Sequence, residues 1–289
     1  MEQAVQRWAV NISAWNPSNT EFNFCVSLLP AHEHSAITGF VKLEDRKRAL
    51  VSRMLQYMLI HAVLGIPYDE IVIRRTEEGK PYLANKLENH DFPNFNFNSS
   101  HHGDYVAIAS EPLCLVGLDI MCHGIEERQP ALEFLKNFSS CFTISEWTTI
   151  LRAGPNDEDI LNQFYRLWCL KEAYIKAVGV GLGYKLERME FYYPENQIWS
   201  DLAYLRIDGM EQKDWQFSLH QFGNCHWVCV ARGPPNQAVS SYGKTLWQVE
   251  FDNKSYNHGF ELPNIPFALY EIEHLIPEHK KKEYHQNMF

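Results

Sequence analysis

The residues Trp168-Cys169-Leu170-Lys171-Glu172-Ala173-Tyr174-Ile175-Lys176 set the organisation of the chain. Their pattern is typical of a helix, so Glu172 and Lys176 stand one turn apart on the same face. An exposed pair of this kind contributes only about 0.3–0.5 kcal/mol. A second stretch, Val116-Gly117-Leu118-Asp119-Ile120, sets a single acid in an apolar run that indicates a buried strand. Because an unpaired buried carboxylate is costly, Asp119 predicts a metal or another cation.

Composition and charge indicate a soluble globular protein. The 289 residues are 45% hydrophobic, enough for one large or two modest cores, and the formal net charge of -10 argues against nucleic-acid binding. The seven cysteines never occur as Cys-x-x-Cys, and Cys225-His226 with Cys229 is too sparse for zinc. Neither a secretory leader nor an apolar run of about 18–20 residues is found. We therefore expect a monomer in a reducing cytosol, with no membrane contact.

Hydrophobic periodicity predicts strands and one long helix in the first part of the chain. Alternation of apolar and polar residues indicates strands at 5–12 and 22–28. Helical spacing predicts a helix over 43–64, which Gly65 and Pro67 would end. Further strands are predicted at 71–75, 81–83, 95–98, 105–109 and 115–121.

Helices and then strands are predicted for the second part. Helical sequence runs over 126–138, a capping box opens another helix at Thr143 with Glu146, and a third follows Asn156. The third carries Glu172, and glycines at 179–183 end it. A dinucleotide fingerprint would place its glycines before a helix, so that class of protein is rejected. The last strands are predicted at 187–193, 203–208, 215–222 and 225–232.

The two motifs together resemble the signature of the 4'-phosphopantetheinyl transferases, a G-[IVL]-D strand followed after about fifty residues by a W-x-x-K-E-x-x-x-K helix. The likeness runs from about 40 to 232 and favours the animal members of the surfactin-type branch. It implies an α+β fold of two α/β halves related by a pseudo-twofold axis, with the active site between them. We expect an N-terminal half at 1–117, a C-terminal half at 118–235 carrying the metal and catalytic motifs, and a tail at 236–289 that partly packs on the body.

The resemblance implies transfer of 4'-phosphopantetheine from coenzyme A to a serine of an acyl-carrier or peptidyl-carrier domain, releasing adenosine 3',5'-bisphosphate. Attack on a pyrophosphate requires a divalent cation, basic side chains and a base for the hydroxyl. Asp119 and Glu172 would bind Mg²⁺, and Glu172 would also be the general base, directly or through a metal-bound water. Lys176 would neutralise the pyrophosphate, assisted by Lys171. Many relatives have a second acid where this chain has Met121, a poor magnesium ligand.

Two further segments resemble the family's coenzyme-binding sequences. Arg75, Lys80 and Pro81 belong to a Gly-[KR]-Pro segment expected at the nucleotide end, where the basic side chains would meet phosphate. Asn98-Ser99-Ser100-His101 resembles the N-[IVL]-S-H segment that contacts the coenzyme's phosphates. We expect this segment to form a turn between two strands, with His102 facing solvent.

The sequence does not determine which residue binds the 3'-phosphate of coenzyme A or which carrier domain is modified. Animal relatives offer an arginine where this chain has Ala36, so Arg46, Lys47, Arg48 or Arg53 is expected to substitute. The same basic segment is a candidate docking face for an acidic carrier. The resemblance implies fatty acid synthase, aminoadipate reductase and formyltetrahydrofolate dehydrogenase as carriers, without preference among them. Two other functions stay open: a coenzyme A-binding scaffold without catalysis, and a metal-dependent phosphohydrolase that uses water in place of serine.

Overall fold

A computed structural model describes residues 1–86, 92–123, 130–193 and 202–287. The α-helices are α1 (Asn19–Ser27), α2 (Ala31–Thr38), α3 (Leu43–Leu64), α4 (Ala131–Leu135), α5 (Ile144–Leu151), α6 (Asp157–Val178), α7 (Ser240–Gly243), α8 (Asn253–Glu261) and α9 (Lys281–Asn287). The strands are β1 (Gln6–Asn11), β2 (Ile73–Arg75), β3 (Pro81–Leu83), β4 (Asn96–His102), β5 (Tyr105–Glu111), β6 (Leu115–Cys122), β7 (Met189–Tyr192), β8 (Leu202–Ile207), β9 (Met210–Glu211), β10 (Gln216–Phe222), β11 (His226–Gly233) and β12 (Ala268–Tyr270). Short 3-10 helices span Glu2–Ala4, Lys136–Phe138, Gly181–Gly183, Leu186–Arg188, Pro235–Gln237, Ile272–Leu275 and Glu278–Lys280.

Two sheets organise the chain, and each packs against one long helix. The first has the strand order β12-β1-β5-β4 and the second the order β6-β11-β10-β8-β7, with β9 paired to β8. Helix α3 packs on the first sheet and α6 on the second. Each of these helices has 22 residues and ends at a glycine with left-handed backbone, Gly65 and Gly179. The predicted α+β class is therefore confirmed.

The two sheets meet where β4 runs beside β6, an edge strand of the second sheet. The backbones of β4 and β6 are not paired in either sheet. Instead, every second side chain of β4 accepts a hydrogen bond from a backbone N–H of β6. The four bonds join Asn96 to Val116 (2.9 Å), Asn98 to Leu118 (2.8 Å), Ser100 to Ile120 (3.2 Å) and His102 to Cys122 (2.8 Å). We call these four bonds the side-chain ladder; they satisfy edge N–H groups that would otherwise be buried without partners.

The ladder corrects two predictions about β4. Residues 98–101 continue the strand to His102, so the turn predicted there is wrong, and the chain turns at Gly103 and Asp104. The exposure predicted for His102 is wrong as well, because its ring is half-buried and accepts the Cys122 N–H. The other strands that were predicted lie within two residues of their expected bounds, except for the one predicted at 22–28, whereas β9 and β12 were not predicted.

The strand predicted at 22–28 is wrong, because this segment is helix α1. The Ser18 side chain accepts a hydrogen bond from the Glu21 N–H at 3.1 Å and caps the helix. Phe22 and Val26, one turn apart, are both buried. The sequence contained this signal, since a serine three residues before a glutamate is typical of a helix start.

The predicted helices of the second part are found where the structure describes them. Residues 126–129 of the helical prediction lie outside the described ranges, and the remainder forms α4 and the 3-10 helix that follows it. The capping box between Thr143 and Glu146 is present at the start of α5, and Asn156 caps α6. Among the helices of the described ranges, none combines the length and hydropathy that crossing a membrane requires.

The final segment of the chain packs on the first sheet. Strand β12 pairs in parallel with β1, placing Ala268 opposite Trp8. Tyr284, which is buried, donates a hydrogen bond to Glu21 Oε1 at 2.7 Å. The segment therefore covers the outer edge of β1. The boundary predicted between residues 117 and 118 falls inside β6, and the division into two halves and a tail stays a prediction.

Gly117 allows β6 to approach the backbone of α6 closely. A Cβ atom at this position would lie 1.9 Å from the carbonyl oxygen of Ala173 and 2.5 Å from the nitrogen of Ala177. Only glycine fits this contact without displacing the helix. Asp119 lies two residues further along β6. The contact therefore also sets the distance of Glu172 and Lys176 from the Asp119 carboxylate.

We predict that Gly117→Ala lowers the free energy of unfolding by about 1–3 kcal/mol, because the added methyl group forces strand and helix apart. Urea denaturation measures the change. Gly183→Ala is the matched control, since a Cβ there meets no atom within 4 Å. Equal stability of the two variants would show that the close contact does not position α6.

Candidate active site

Asp119 is the centre of a hydrogen-bonded group drawn from β4, β6 and α6. Its Oδ1 atom accepts hydrogen bonds from Lys176 Nζ at 2.6 Å and from the Ser100 hydroxyl at 3.0 Å. Lys176 Nζ also donates to Ser100 Oγ at 2.9 Å. The Asp119 carboxylate is buried, whereas the Lys176 side chain is 30% exposed. The ion pair therefore lies at the boundary between the core and open space.

The second oxygen of Asp119 and the Glu172 carboxylate are suited to a hard cation. Asp119 Oδ2 is buried and has no hydrogen-bond partner among the described residues. Burial, and next the negative charge of Asp119, raise the pKa of Glu172, while Lys176 opposes the shift. Two neighbouring carboxylates with one lysine leave uncompensated negative charge. Carboxylate oxygens are the ligands that Mg²⁺ prefers, so Asp119 and Glu172 fit the expected ion.

Glu172 and Lys176 open onto a cavity of about 610 Å³ between the two sheets. This volume is within the usual range for small-molecule sites. The predicted site residues that line it are Arg75, Lys80, Pro81, Asn98, Ser99, Ser100, His101, Glu172 and Lys176. The structure thus brings together at one cavity residues that are separated by up to about a hundred positions in sequence.

Arginines at the far wall lie close to the position of Ala36, which also lines the cavity. Arg75 donates to the carbonyl of Gly79 at 2.8 Å, and Arg53 is paired with Glu33 at 2.8 Å. Burial, and next the charge of Arg53, lower the pKa of Arg75. Two arginines at one cavity favour an anionic ligand there.

Of the four basic residues considered as substitutes at Ala36, Arg53 lines the cavity. Arg46 donates to the carbonyl of Phe40, Lys47 is buried near Trp15, and Arg48 donates to the carbonyl of Gly103. These three side chains contact other parts of the protein. Arg53 is therefore favoured as the residue that binds a terminal phosphate.

The ammonium group of Lys80 points into the protein and not into the cavity. It donates to the carbonyl oxygens of Val116, at 3.0 Å, and Lys176, and it lies 4.6 Å from the centre of the Tyr242 ring. Burial, and next the charge of Lys176, lower the pKa of Lys80 to about 7. Lys80 therefore ties β6 to the end of α6, which differs from the phosphate contact expected for it.

The expected assistance of Lys171 to phosphate neutralisation is not supported by its position. Lys171 is five residues before Lys176, so the two side chains leave the helix about 140° apart. Its ammonium is fully buried, pairs with Glu146 at 2.8 Å and donates to the carbonyl of Met189 at 2.6 Å. Lys171 is a core residue that joins α6 to α5 and β7.

Ser99 and His101 alternate with the ladder residues and face the helix α3 side of β4. Ser99 Oγ accepts hydrogen bonds from Ser52 at 3.2 Å and Gln56 at 3.0 Å, two polar residues of α3 that sequence reasoning did not single out. Enclosure by the cavity walls, followed by the charges of Lys176 and Arg48, lowers the pKa of His101 to about 4. His101 is therefore neutral near pH 7 and lines the cavity without adding a charge.

Met121 and Trp168 both contribute to the apolar packing of the second sheet. Met121 is partly buried against the core, in the position where many relatives have an acid. Trp168 packs against Phe138 and Phe164, with ring centroids 5.1 and 5.8 Å apart, and its outer face lines the cavity. Trp168 therefore packs α6 against its aromatic neighbours and leaves one face open to the cavity.

A cluster of soft ligands, which the sequence did not predict, lies at the end of β6 away from the cavity. The ligand atoms of Cys122, Cys225 and His226 lie within 4.8 Å of one another. Cys229, considered with Cys225 and His226 in the sequence, is fully buried and lies elsewhere on β11. The sequence reasoning did not include Cys122, which lies about a hundred residues before Cys225. The pairing of β6 with β11 brings Cys122 close to Cys225 and His226.

Comparison with known proteins shows the same family along most of the chain. A model described as "4'-phosphopantetheinyl transferase, N-terminal" matches residues 13–113, and one described as "4'-phosphopantetheinyl transferase superfamily" matches residues 115–231. The chain belongs to the 4'-phosphopantetheinyl transferase family, and the resemblance of its motifs is thereby confirmed.

Relatives with high similarity include animal and bacterial proteins. The L-aminoadipate-semialdehyde dehydrogenase-phosphopantetheinyl transferase of Mus musculus is 39% identical over 275 residues, which cover 93% of this chain and 84% of the relative. The Homo sapiens protein of that name is 40% identical over 235 residues, 80% of this chain and 75% of the relative. The 4'-phosphopantetheinyl transferase gsp of Aneurinibacillus migulanus is 31% identical over 182 residues, 62% and 65% of the two chains.

We predict that Lys171→Met lowers the free energy of unfolding by about 3–5 kcal/mol, because it leaves the buried Glu146 carboxylate unpaired. Urea denaturation measures this loss. Combining it with Glu146→Gln should recover much of the stability, and exposed Lys185→Met is the control. If Lys171→Met instead abolished activity at unchanged stability, a role in phosphate chemistry would be favoured.

Proposed function

We propose that this chain transfers the 4'-phosphopantetheine group of coenzyme A to a serine hydroxyl of an acyl-carrier or peptidyl-carrier domain and releases adenosine 3',5'-bisphosphate. The observation that carries the proposal is that buried Asp119 lies beside Glu172 and Lys176, which line a cavity of about 610 Å³. Membership of the 4'-phosphopantetheinyl transferase family supports the same reaction.

Asp119 and Glu172 would hold Mg²⁺ through Asp119 Oδ2 and the Glu172 carboxylate. When bound, the ion neutralises charge on the pyrophosphate and polarises the phosphorus under attack. Ser100 and Lys176 hold the other Asp119 oxygen and so fix the direction of Oδ2. These contacts preorganise the carboxylate before the coenzyme arrives, which reduces the reorganisation that the reaction needs.

Glu172 takes the proton of the incoming serine, directly or through a water. Burial and the neighbouring Asp119 raise its pKa, which increases its basicity as a carboxylate. Lys176, one turn along the helix, remains partly exposed at the cavity and can share its ammonium with a phosphate oxygen. The developing charge on the leaving bisphosphate is thereby compensated.

The nucleotide end of coenzyme A would lie toward Arg75 and Arg53. Both side chains line the cavity beside Ala36, and their proximity creates local positive charge on an otherwise acidic protein. Arg53 would read the 3'-phosphate by exchanging its pairing with Glu33 for a contact with the ligand. His101 and Asn98 line the path of the phosphates between the arginines and the metal ligands.

Mass spectrometry of a purified apo-carrier domain tests the reaction. The domain is incubated with the protein, coenzyme A and Mg²⁺, and the expected result is a gain of one phosphopantetheine arm on its serine. The same mixture without carrier should release negligible phosphopantetheine. Release without carrier would favour a phosphohydrolase, and coenzyme A binding without any reaction would favour a scaffold.

We predict that Glu172→Gln lowers kcat by about 10²–10⁴-fold, because the amide cannot accept the serine proton and binds the cation poorly. Initial rates of carrier modification measure the loss. Glu187→Gln, at an exposed position of the 3-10 helix that follows α6, is the control. A Glu172→Gln enzyme with wild-type kcat would exclude Glu172 as the base.

A carrier docking face is proposed beside the cavity entrance, at the start of α3. Phe40, which lines the cavity, and Val41 are exposed there, next to exposed Lys42 and to Arg46. Of the segment 46–53 expected to dock the carrier, Lys47 is buried, and Arg48 and Arg53 are engaged inside the protein. Arg46 donates its Nε–H to the Phe40 carbonyl but is only half-buried, so the charge available to a partner is concentrated at Lys42 and Arg46.

We predict that the combined change Lys42→Glu and Arg46→Glu raises the KM for an acidic carrier about threefold to tenfold, because like charges then face each other. The KM for coenzyme A should be unchanged. Steady-state kinetics with each substrate varied measure both constants, and Lys213→Glu, on a loop of the second half, is the control. An unchanged KM for the carrier would contradict this docking face.

A further inference from the structure

Two cysteine sulfurs and one histidine meet at the end of β6, on the side away from the cavity. Cys122 Sγ lies 3.8 Å from Cys225 Sγ, and Cys225 Sγ lies 3.4 Å from His226 Nδ1. Cys122 ends β6, Cys225 directly precedes β11, and His226 begins β11 as the register partner of Cys122. The turn between β4 and β5 covers the group. We call Cys122 and Cys225 the thiol pair.

The hydrogen bonds of His226 determine which ring nitrogen carries the proton. The backbone N–H of Asp104 donates to His226 Nε2 at 3.3 Å. A backbone amide can only donate, so Nε2 carries the lone pair and Nδ1 carries the proton. Nδ1 therefore presents an N–H group to Cys225 Sγ. A metal would require a lone pair on this nitrogen, so the arrangement favours a hydrogen-bonded sulfur over a metal ligand.

The imidazole is held in this orientation from a second direction. The Tyr105 ring packs edge-on against the His226 ring, with centroids 4.9 Å apart and planes at 74°. Burial lowers the pKa of His226, in agreement with a neutral ring that has one N–H donor. The direction of the Nδ1–H group toward Cys225 is thus set by Asp104 and Tyr105 together.

The two sulfurs differ in access and in hydrogen bonding. Cys122 is buried and its thiol lies in donor position to Cys225 Sγ, which also receives the His226 N–H. Cys225 is only half-buried and follows the tight turn at Gly223 and Asn224. A peroxide dissolved in water reaches the more exposed sulfur first, and the attacking form of cysteine is the thiolate. Cys225 is therefore placed to react first and Cys122 to react second.

We infer that the thiol pair is an oxidation site, in which Cys122 and Cys225 form a reversible disulfide when the protein meets a hydroperoxide. The Cys225 thiolate attacks one oxygen of hydrogen peroxide; an S–O bond forms, the O–O bond breaks and hydroxide leaves. Cys122 sulfur then attacks Cys225 sulfur, and the hydroxyl departs with the Cys122 proton as water. The two sulfurs lose two electrons, and the peroxide, with the two thiol protons, becomes two waters.

A disulfide requires the two sulfurs to approach, from 3.8 Å to about 2 Å. Cys225 lies in a turn outside the strands, after Gly223 with φ 55°, whereas Cys122 is held in the paired strand β6, so we assign the approach to the Cys225 side. Gly103 packs closely on the group, because a Cβ atom there would lie 2.5 Å from His226 Nε2 and 3.3 Å from Cys122 Sγ.

Peptide mapping of the peroxide-treated protein tests this inference. The full chain is treated with equimolar hydrogen peroxide, denatured, alkylated and digested. The expected product is a peptide pair joined through Cys122 and Cys225, which a thiol reductant separates. Cys141 is the internal control, because it is also half-buried but has the Ser140 hydroxyl as its hydrogen-bond neighbour. It should be oxidised at least tenfold more slowly.

Two variants separate the roles of the pair. In Cys122→Ser, Cys225 should accumulate as the sulfenic acid, detected as an adduct with a 1,3-diketone. In His226→Phe, oxidation of Cys225 should be about tenfold slower, because the N–H donor is lost. The inference is overturned if the peroxide-treated wild-type protein forms no Cys122–Cys225 disulfide. It is also overturned if Cys141 is oxidised as fast as Cys225. A zinc ion retained at one per chain and lost in Cys122→Ser would overturn it as well.

Discussion

The structure depends on the hydrogen bonds that alternate side chains of β4 accept from the edge of β6. Each buried N–H left without a partner would cost about 1–3 kcal/mol, so the polar residues of β4 are required at every second position. Ser100 belongs to this series and has an additional role, since its hydroxyl accepts the Ile120 N–H and donates to Asp119. The interaction that joins the two sheets therefore also orients the carboxylate at the cavity.

One face of β6 is fixed by α6 through a close backbone contact. At Gly117 the strand touches the helix backbone, and two residues later Asp119 meets Lys176. β6 thus has a polar strand at one edge, β11 at the other and a close-packed helix on one face. The carboxylate has little freedom, although it lies at the edge of a cavity. Along this one short strand, Gly117 makes the packing contact and Asp119 supplies the carboxylate.

Much of this architecture could be predicted from local patterns. Helix α3 begins and ends as expected, because its apolar period and its terminal glycine agree. Asp119 and Glu172 could be assigned to one site because the resemblance joined two separate motifs. Helix α1 was missed because its aromatic residues alternate as they would in a strand, although Ser18 and Glu21 carry a helix-start signal.

Other features could not be predicted because they depend on partners distant in sequence. The polar residues of β4 have the composition of a turn, and only the neighbouring β6 explains them as a strand. The two long lysines Lys80 and Lys171 appeared to be phosphate ligands, but both extend into the protein toward carbonyl groups. The direction of a flexible side chain is set by tertiary contacts, which a residue type and its spacing do not contain.

The parallel pairing of β12 with β1 has a consequence for biosynthesis. Trp8 meets Ala268 across the pair, 260 residues further along the chain. On the ribosome, β1 is made before β12, so its outer edge stays uncovered until the intervening residues have been made. An unprotected strand edge invites association with other chains. The nascent protein thus has a prolonged interval in which a chaperone would be of use, and the edge of β1 is covered only after β12 has been made.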